Sequence, residues 1–195
     1  MSDLSIFELT KEPTRIWELA VPVAVDKESN VINAYLTNAI EEPQLYNELC
    51  YLLSTASKDT TVIIHINTPG GIIDSAFMIA NAIKDSEATV IGRLTGTVAS
   101  AGTIISMACD HLDITPHLSF MIHNYSGGMA GKGHEMKARQ KFTDDHLNHA
   151  FTYFYSGFLT EEEMEKVIEG TDLWMDTNEV KERWANRVAY RQENS

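Results

Sequence analysis

The sequence predicts an α/β protein with a mainly parallel sheet, and three observations support that prediction. Apolar β-branched runs and helical stretches alternate between residues 60 and 123. Of the 195 residues, 44% are hydrophobic, which is enough for one domain with a full core. No internal repeat or linker interrupts the chain. We therefore expect a flexible N-terminal arm at residues 1–14 and a single domain at residues 15–195.

Hydrophobic spacing places each element in turn, with period two indicating strands and period 3.6 indicating helices. The predicted strands cover residues 15–25, 61–66, 89–94, 111–114, 119–123 and 188–190. The predicted helices cover residues 42–57, 72–83, 101–108, 134–157, 160–168 and a last stretch that opens at residue 176. The fold is therefore expected to close on a short C-terminal strand.

Four of the predicted helices carry additional information. Residues 101–108 are small and apolar all round, which indicates a buried helix. The helix at residues 134–157 is polar in its first half and apolar in its second, so we expect one end to pack and the other to project. Thr160 with Glu163 forms a capping box, and Asp176 with Glu179 is a comparable pair.

Charge and composition exclude several functional classes. The formal net charge is -13, which would repel a nucleic-acid backbone or an anionic membrane. No run of about 18 apolar residues is present, and the N-terminus lacks the pattern of an export signal. The two cysteines, Cys50 and Cys109, lie in apolar stretches and are too few for a disulfide framework. We expect a cytoplasmic protein that binds neither nucleic acid nor membrane.

Two turns follow buried strands and precede helices. Pro69-Gly70-Gly71 would present backbone N–H groups at the carboxyl end of its strand, which suits an oxyanion site, although an ordinary glycine turn is also compatible. Ser100 stands before the buried helix with small neighbours that leave its hydroxyl uncovered, which suits a nucleophile. An N-cap serine is the alternative for Ser100.

A nucleophilic serine needs an adjacent base that is held by a carboxylate. His123 ends an apolar strand and would emerge at the same sheet edge as Ser100. His65 lies inside a strand and is expected to be packed. His146 and His149 share a helix face, yet no third metal ligand is evident, so a solvated face is the simpler interpretation.

Of the three groups that such a site needs, the carboxylate is the one that the sequence pattern identifies least clearly. Asp172 and Asp176 are predicted to lie in one loop, and capping accounts for Asp176. Asp172 is left without a structural role. Asp110 and Asp113 stay open as alternatives, because spacing alone does not place a loop relative to His123.

Four segments, in this order, resemble the proteolytic subunit of the Clp protease, ClpP. They are residues 66–71 (Ile-Asn-Thr-Pro-Gly-Gly), 96–102 (Gly-Thr-Val-Ala-Ser-Ala-Gly), 121–123 (Met-Ile-His) and 172–175 (Asp-Leu-Trp-Met). The resemblance covers residues 60 to about 190. It implies a ClpP/crotonase-like spiral of ββα units with a projecting handle helix, in a handle region of about residues 124–158.

The same resemblance implies roles for five residues. Ser100 would be the nucleophile, His123 the general base and Asp172 the group that orients the histidine, while Gly71 and Ala101 would donate the oxyanion hydrogen bonds. The implied protein is a serine endopeptidase that acts on unfolded proteins or short peptides without a metal or organic cofactor. It would assemble into heptameric rings that stack.

A separate AAA+ unfoldase is the partner that the resemblance implies, and ATP would act only through that partner because the chain has no phosphate-binding loop of its own. The chain departs from the family pattern at Ile63 and His65, where docking tyrosines are usual, and at Thr171, where an arginine often contacts the second ring. Two other readings stay open: a non-catalytic structural or regulatory ring subunit, and a crotonase-type acyl-CoA enzyme.

Overall fold

The computed structural model describes residues 21–26 and 29–194. The predicted arm at residues 1–14 and the first part of the predicted strand at residues 15–25 lie outside the described residues. The strands are β1 (Val23–Asp26), β2 (Val31–Leu36), β3 (Thr61–Thr68), β4 (Thr89–Ala99), β5 (His111–Ile114), β6 (Ser119–Ile122) and β7 (Leu173–Asp176). The helices are a 3₁₀ turn (Pro43–Tyr46), α1 (Asn47–Thr55), α2 (Ile73–Asp85), α3 (Ala101–Ala108), α4 (Gly133–Tyr155), α5 (Glu161–Ile168) and α6 (Thr177–Glu193).

Within the described residues, the strands form one seven-stranded sheet. Its order is β1-β2-β3-β4-β6-β7, and β5 also pairs with β4. The pairs β2–β3, β3–β4, β4–β5 and β4–β6 are parallel, whereas the outer pairs β1–β2 and β6–β7 are antiparallel. The predicted α/β class with mainly parallel pairing is confirmed.

One face of the sheet packs against helices and forms the hydrophobic core with them. Side chains alternate between buried and half-exposed along β3, and Val62, Ile64 and Ile66 are fully buried. These β-branched residues fit the pleated surface that the amphipathic helices cover. Helices α1 and α2 contribute Leu49, Leu53 and Ile79 to the same cluster.

Strand β4 changes partner at Gly96. Residues 91–94 pair with β5, and residues 97–99 pair with β6. Gly96 has a φ of 60°, a left-handed conformation that glycine adopts without strain, and the Asn67 side chain accepts a hydrogen bond from the Thr97 N–H. The predicted strand ends at residue 94, whereas the observed strand continues to Ala99 beyond the kink.

Helix α3 is buried along its whole length, as predicted. At Gly102 an added Cβ would lie 2.4 Å from the Thr68 side chain, so the glycine permits close packing on β3. Arg187 donates to the carbonyls of Ser156 and Met107, and Arg191 donates to the carbonyl of Met107. Both guanidinium groups thus bind the Met107 carbonyl in the last turn of the buried helix, where positive charge is favourable.

Those arginines explain why the predicted strand at residues 188–190 is wrong. These residues belong to α6, which opens at Asp176, whose carboxylate accepts from the N–H groups of Asn178 and Glu179. Arg187 and Arg191 are four residues apart, about 6 Å along a helix but about 13 Å along a strand, and a helix therefore brings both guanidinium groups to the same Met107 carbonyl. A second correction concerns β7, which occupies residues predicted as a loop.

Helix α4 has two contrasting halves. Its buried side chains are Leu147, Phe151, Phe154 and Tyr155, all in the second half. In the first half Phe142 has 69% of its surface exposed. The Thr160–Glu163 capping box forms in full at the start of α5. Within the described residues, no helix combines the length and hydrophobicity needed to cross a bilayer.

Candidate active site

Ser100 stands in a strained turn between β4 and α3. Its φ of 54° and ψ of -126° lie outside the usual regions for a residue with a side chain, at a cost of about 1–3 kcal/mol. Its backbone N–H donates to the Met121 carbonyl at 2.9 Å, and its own carbonyl accepts from the Thr103 hydroxyl at 2.6 Å. These bonds hold the serine at the edge of the sheet.

The Ser100 hydroxyl forms a hydrogen bond with the His123 side chain. The distance between Ser100 Oγ and His123 Nε2 is 2.7 Å. Ser100 occupies the N-cap position of α3, but among the described residues its hydroxyl accepts no hydrogen bond from the first turn, so the alternative that the side chain serves as a cap is wrong. A serine hydroxyl that faces an imidazole nitrogen at this distance can transfer its proton to that ring.

The parallel pairing of β4 and β6 explains why the two side chains meet. Ala99 and Met121 are register partners, so the carboxyl ends of both strands reach the same edge of the sheet. Ser100 directly follows β4, and His123 directly follows β6. The predicted position of both residues at one edge of the sheet is confirmed.

Asp172 lies beside the histidine but outside hydrogen-bond distance. In the β6–β7 ladder Ile122 pairs with Leu173, so the next position along the ladder sets His123 opposite Asp172. The distance from Asp172 Oδ1 to His123 Nδ1 is 3.9 Å, and the Asp172 side chain is 56% exposed. The carboxylate is therefore near enough to act on the ring by charge, without a direct hydrogen bond.

The competing acidic residues have other partners. Asp110 Oδ2 accepts from the Val90 N–H at 2.8 Å, and Asp113 Oδ2 lies 3.4 Å from Arg93 Nε. Both therefore have structural explanations on the side of the sheet that carries β5. The structure brings Asp172, and neither alternative, to His123.

The competing histidines also lie elsewhere. His65 in β3 is bonded to Asn33 at 2.9 Å and stacks on Tyr35, and burial together with the charge of Arg93 lowers its pKa. His146 and His149 are exposed on α4, as the solvated-face interpretation predicted. Across residues 21–26 and 29–194, no three metal-ligating side chains come together.

The glycine turn packs directly against Ser100. Gly70 has a φ of 95°, and a Cβ added there would lie 2.5 Å from Ser100 Cβ. Gly71 has a φ of 150°, and a Cβ there would lie 2.0 Å from the Ile40 carbonyl oxygen. Both positions require glycine because any side chain would collide with a neighbouring segment.

Gly71 and Ala101 share a pocket with Ser100 and His123. Its volume is about 360 Å³. In the described part of the chain, the N–H groups of Gly71 and Ala101 have no hydrogen-bond acceptor. The apolar part of the wall is formed by Ile72, Ile73, Ile104, Leu147 and Phe151. The pocket thus combines a hydroxyl, an imidazole, two unused backbone donors and an apolar surface.

The rim of the pocket is tied to α4. The Tyr125 hydroxyl donates to Asp144 Oδ1 at 2.5 Å, and this hydrogen bond is the main cause of a raised pKa at Tyr125. Sequence patterns do not predict this contact, because residues 19 positions apart on a loop and a helix show no periodic signal. Strand β7 was not predicted either, although the apolar run at residues 173–175 before a helix cap is a weak strand signal.

A family model described as Clp protease matches residues 27–183, which include the four segments singled out in the sequence. The chain belongs to the Clp protease family. It is 28% identical over 144 residues to ATP-dependent Clp protease proteolytic subunit 1 of Chlamydia muridarum, covering 68% of this chain and 71% of that protein. It is 27% identical over 174 residues to subunit 3 of Rhizobium etli, covering 83% of this chain and 87% of that protein.

The fold is also similar to a solved ClpP structure. A ClpP1 mutant from Listeria monocytogenes superimposes with a TM-score of 0.61 at 24% sequence identity, covering 77% of this chain and 86% of that one. The similarity supports the predicted ClpP-like α/β fold. At this identity it concerns the fold alone, and the chemistry depends on the residues of this Clp protease family member.

Proposed function

We propose that this Clp protease family member is a serine endopeptidase that hydrolyses peptide bonds of unfolded proteins or short peptides. The observation that carries the proposal is the 2.7 Å hydrogen bond between Ser100 Oγ and His123 Nε2 in a pocket with two unused backbone donors. This arrangement matches the parts that acyl transfer needs: a nucleophile, a base and an oxyanion site.

In the first half-reaction Ser100 Oγ attacks the carbonyl carbon of the substrate while His123 Nε2 takes the hydroxyl proton. The carbonyl oxygen becomes an oxyanion, which accepts hydrogen bonds from the N–H groups of Gly71 and Ala101. One preorganised donor of this kind contributes about 3 kcal/mol to the transition state. His123 then gives the proton to the leaving amine, and the acyl-enzyme forms.

In the second half-reaction water attacks the acyl-enzyme carbonyl with His123 again as base. The second tetrahedral intermediate collapses, the carboxylic acid product leaves and Ser100 regains its proton. Asp172 orients the Nδ1–H of His123 and stabilises the imidazolium. The 3.9 Å separation must shorten to about 2.9 Å for a direct hydrogen bond, a tightening expected when substrate or neighbouring subunits complete the site.

The proposal includes assembly. As in the family, the subunit would form ring-shaped homo-oligomers, with heptameric rings that stack through the handle region and enclose the active sites. The exposed first half of α4 suits such a projecting element. A separate AAA+ unfoldase would supply unfolded chains, and the subunit itself would work without a metal or organic cofactor in the cytoplasm.

The test uses a fluorophosphonate probe, which reacts with an activated serine hydroxyl. We expect the native protein to be labelled at Ser100, and Ser100→Ala to abolish labelling. Sedimentation of the labelled particle measures the oligomer at the same time. Labelling that persists in Ser100→Ala would contradict the assigned nucleophile. An unlabelled native particle would favour the non-catalytic ring subunit, and acyl-CoA binding measured by calorimetry would favour the crotonase-type enzyme.

A further inference from the structure

Asn124 directly follows His123 and joins two segments of the candidate active site. Its side-chain nitrogen Nδ2 donates to the carbonyl oxygen of Ile168 at 2.7 Å. Its side-chain oxygen Oδ1 accepts from the Tyr125 N–H at 2.8 Å. Both ends of the amide are therefore used, and the residue is held in one orientation.

The acceptor of this bond belongs to the C-terminal turn of α5. Gly170, with a φ of 108°, donates from its N–H to the Val167 carbonyl, and the Thr171 N–H donates to the Lys166 carbonyl. This is the Schellman pattern that ends helices at a left-handed glycine. Ile168 is the last residue of α5, and its carbonyl accepts the hydrogen bond from Asn124.

The Asn124–Ile168 hydrogen bond is one link between the segment that carries His123 and the segment that carries Asp172. Asn124 is one residue from His123, and Ile168 is four residues before Asp172. The β6–β7 ladder connects the same two segments on the other side, through the Ile122–Leu173 pair. Because Asp172 lies 3.9 Å from the ring and is exposed, its place relative to His123 depends on what holds the turn between α5 and β7.

We propose that Asn124 is a positioning residue that holds the turn carrying Asp172 against His123. The role rests on the proposed serine peptidase function. Asn124 does not line the pocket with the reacting groups, so it acts only through the relative placement of the histidine and the carboxylate. Loss of its amide would let the α5–β7 turn move away from the ring, because the exposed carboxylate has no direct bond to retain it.

The experiment compares fluorophosphonate labelling rates of the assembled protein and four variants: Asn124→Ala, Asp172→Asn, the double variant, and Thr160→Ala. Thr160→Ala removes the N-cap of the same helix, at the end opposite Ile168, and so controls for general destabilisation of α5. Unfolding midpoints are measured for each protein.

We expect Asn124→Ala to lower the maximal labelling rate about three- to tenfold, the effect of one hydrogen bond. The probe concentration at half-maximal rate should stay unchanged because the pocket wall is intact. In the Asp172→Asn background, Asn124→Ala should have no further effect. Thr160→Ala should lower the unfolding midpoint without this loss of rate.

Four outcomes would overturn the role. If Asn124→Ala labels at the wild-type rate, Asn124 does not position the carboxylate, and the serine peptidase function is unaffected. If Asn124→Ala slows labelling equally with and without Asp172, or if Thr160→Ala slows it as much, the effect is general destabilisation. A wild-type protein that is not labelled overturns the proposed function together with this role.

Discussion

The two halves of the candidate catalytic site differ in how firmly the fold holds them. Ser100 and His123 follow parallel neighbouring strands in the interior of the sheet and are bonded at 2.7 Å. Asp172 precedes β7, which pairs on one side with β6, and its carboxylate lies 3.9 Å from the ring. The positions of Ser100 and His123 are thus set by the core, whereas that of the Asp172 carboxylate depends on local contacts at the edge of the sheet.

The packing around each half explains the difference. Ser100 leads into α3, whose residues are all buried, and Thr103 ties the Ser100 carbonyl to the Tyr155 hydroxyl through two bonds of 2.6 Å. On the other half, the residues around Asp172 are exposed and the nearest helix, α5, is short. Edge segments of this kind open more easily than core strands.

The largest expected effect is the loss of labelling rate in His123→Ala, compared with the smaller loss in Asp172→Ala. We expect His123→Ala to lower the fluorophosphonate labelling rate by at least about a thousandfold, because the hydroxyl loses its proton acceptor. Asp172→Ala should cost at least about tenfold less, since the histidine keeps its bond to Ser100. Labelling kinetics on assembled protein measure both. Equal losses would mean that the carboxylate is held as firmly as the base.

A smaller effect is expected at the glycine turn that packs against Ser100. Gly70→Ala would place a Cβ against Ser100 at a φ of 95°, so we expect the free energy of unfolding to fall by about 1–3 kcal/mol and labelling to slow. Urea unfolding and labelling rates measure the two changes.

Gly127→Ala is the matched control for Gly70→Ala. An added Cβ at Gly127 would meet nothing within 4 Å, and Gly127 is not among the described glycines with positive φ. We therefore expect a stability change within about 0.5 kcal/mol. Tolerance of alanine at Gly70 equal to that at Gly127 would contradict the close packing of the turn against the serine.

The smallest expected effect concerns the ion pair that anchors α5 to α6. Two hydrogen bonds from Arg183, at 2.8 and 2.7 Å, are the main reason that the pKa of Glu163 falls from 4.5 to about 2. The ionised carboxylate therefore stabilises the fold above about pH 4.5, and this contribution is lost as the pH falls toward 2. We expect Glu163→Gln to cost about 1 kcal/mol at neutral pH.

Thermal unfolding at several pH values tests the Glu163 prediction. The difference between Glu163→Gln and the wild type should shrink as the pH is lowered from 5 to 2, because the Glu163 carboxylate then becomes protonated, first in the unfolded chain and then in the folded protein. A constant difference across that range would show that the ion pair is not its source. Labelling should change less than about twofold, since Asn124 holds the other end of α5.

Local sequence patterns predicted much of the fold. The β-branched run that became β3, the apolar stretch that became α3 and the Thr160–Glu163 capping box each involve neighbouring residues, so their signals are contained in short windows. The placement of Ser100 and His123 at one edge followed from the rule that parallel strands end on the same side of a sheet. Assignment of their chemical roles relied on the family resemblance.

Contacts between distant segments could not be read in the same way. The end of α6 was predicted as a strand because its helical state is stabilised by Arg187 and Arg191 on carbonyls about 80 residues earlier. Strand β7 has four residues and a weak apolar signal, and its pairing with β6 decides that Asp172, rather than Asp110 or Asp113, faces His123.

The sequence by itself determined the fold class, most elements and the two residues that lead the candidate chemistry, because periodicity, capping and turn chemistry act over a few residues. Tertiary structure alone decided the order of the strands, the partner switch of β4 at Gly96 and the position of the carboxylate. Those features depend on which distant surfaces pack together, and that packing is a property of the whole chain.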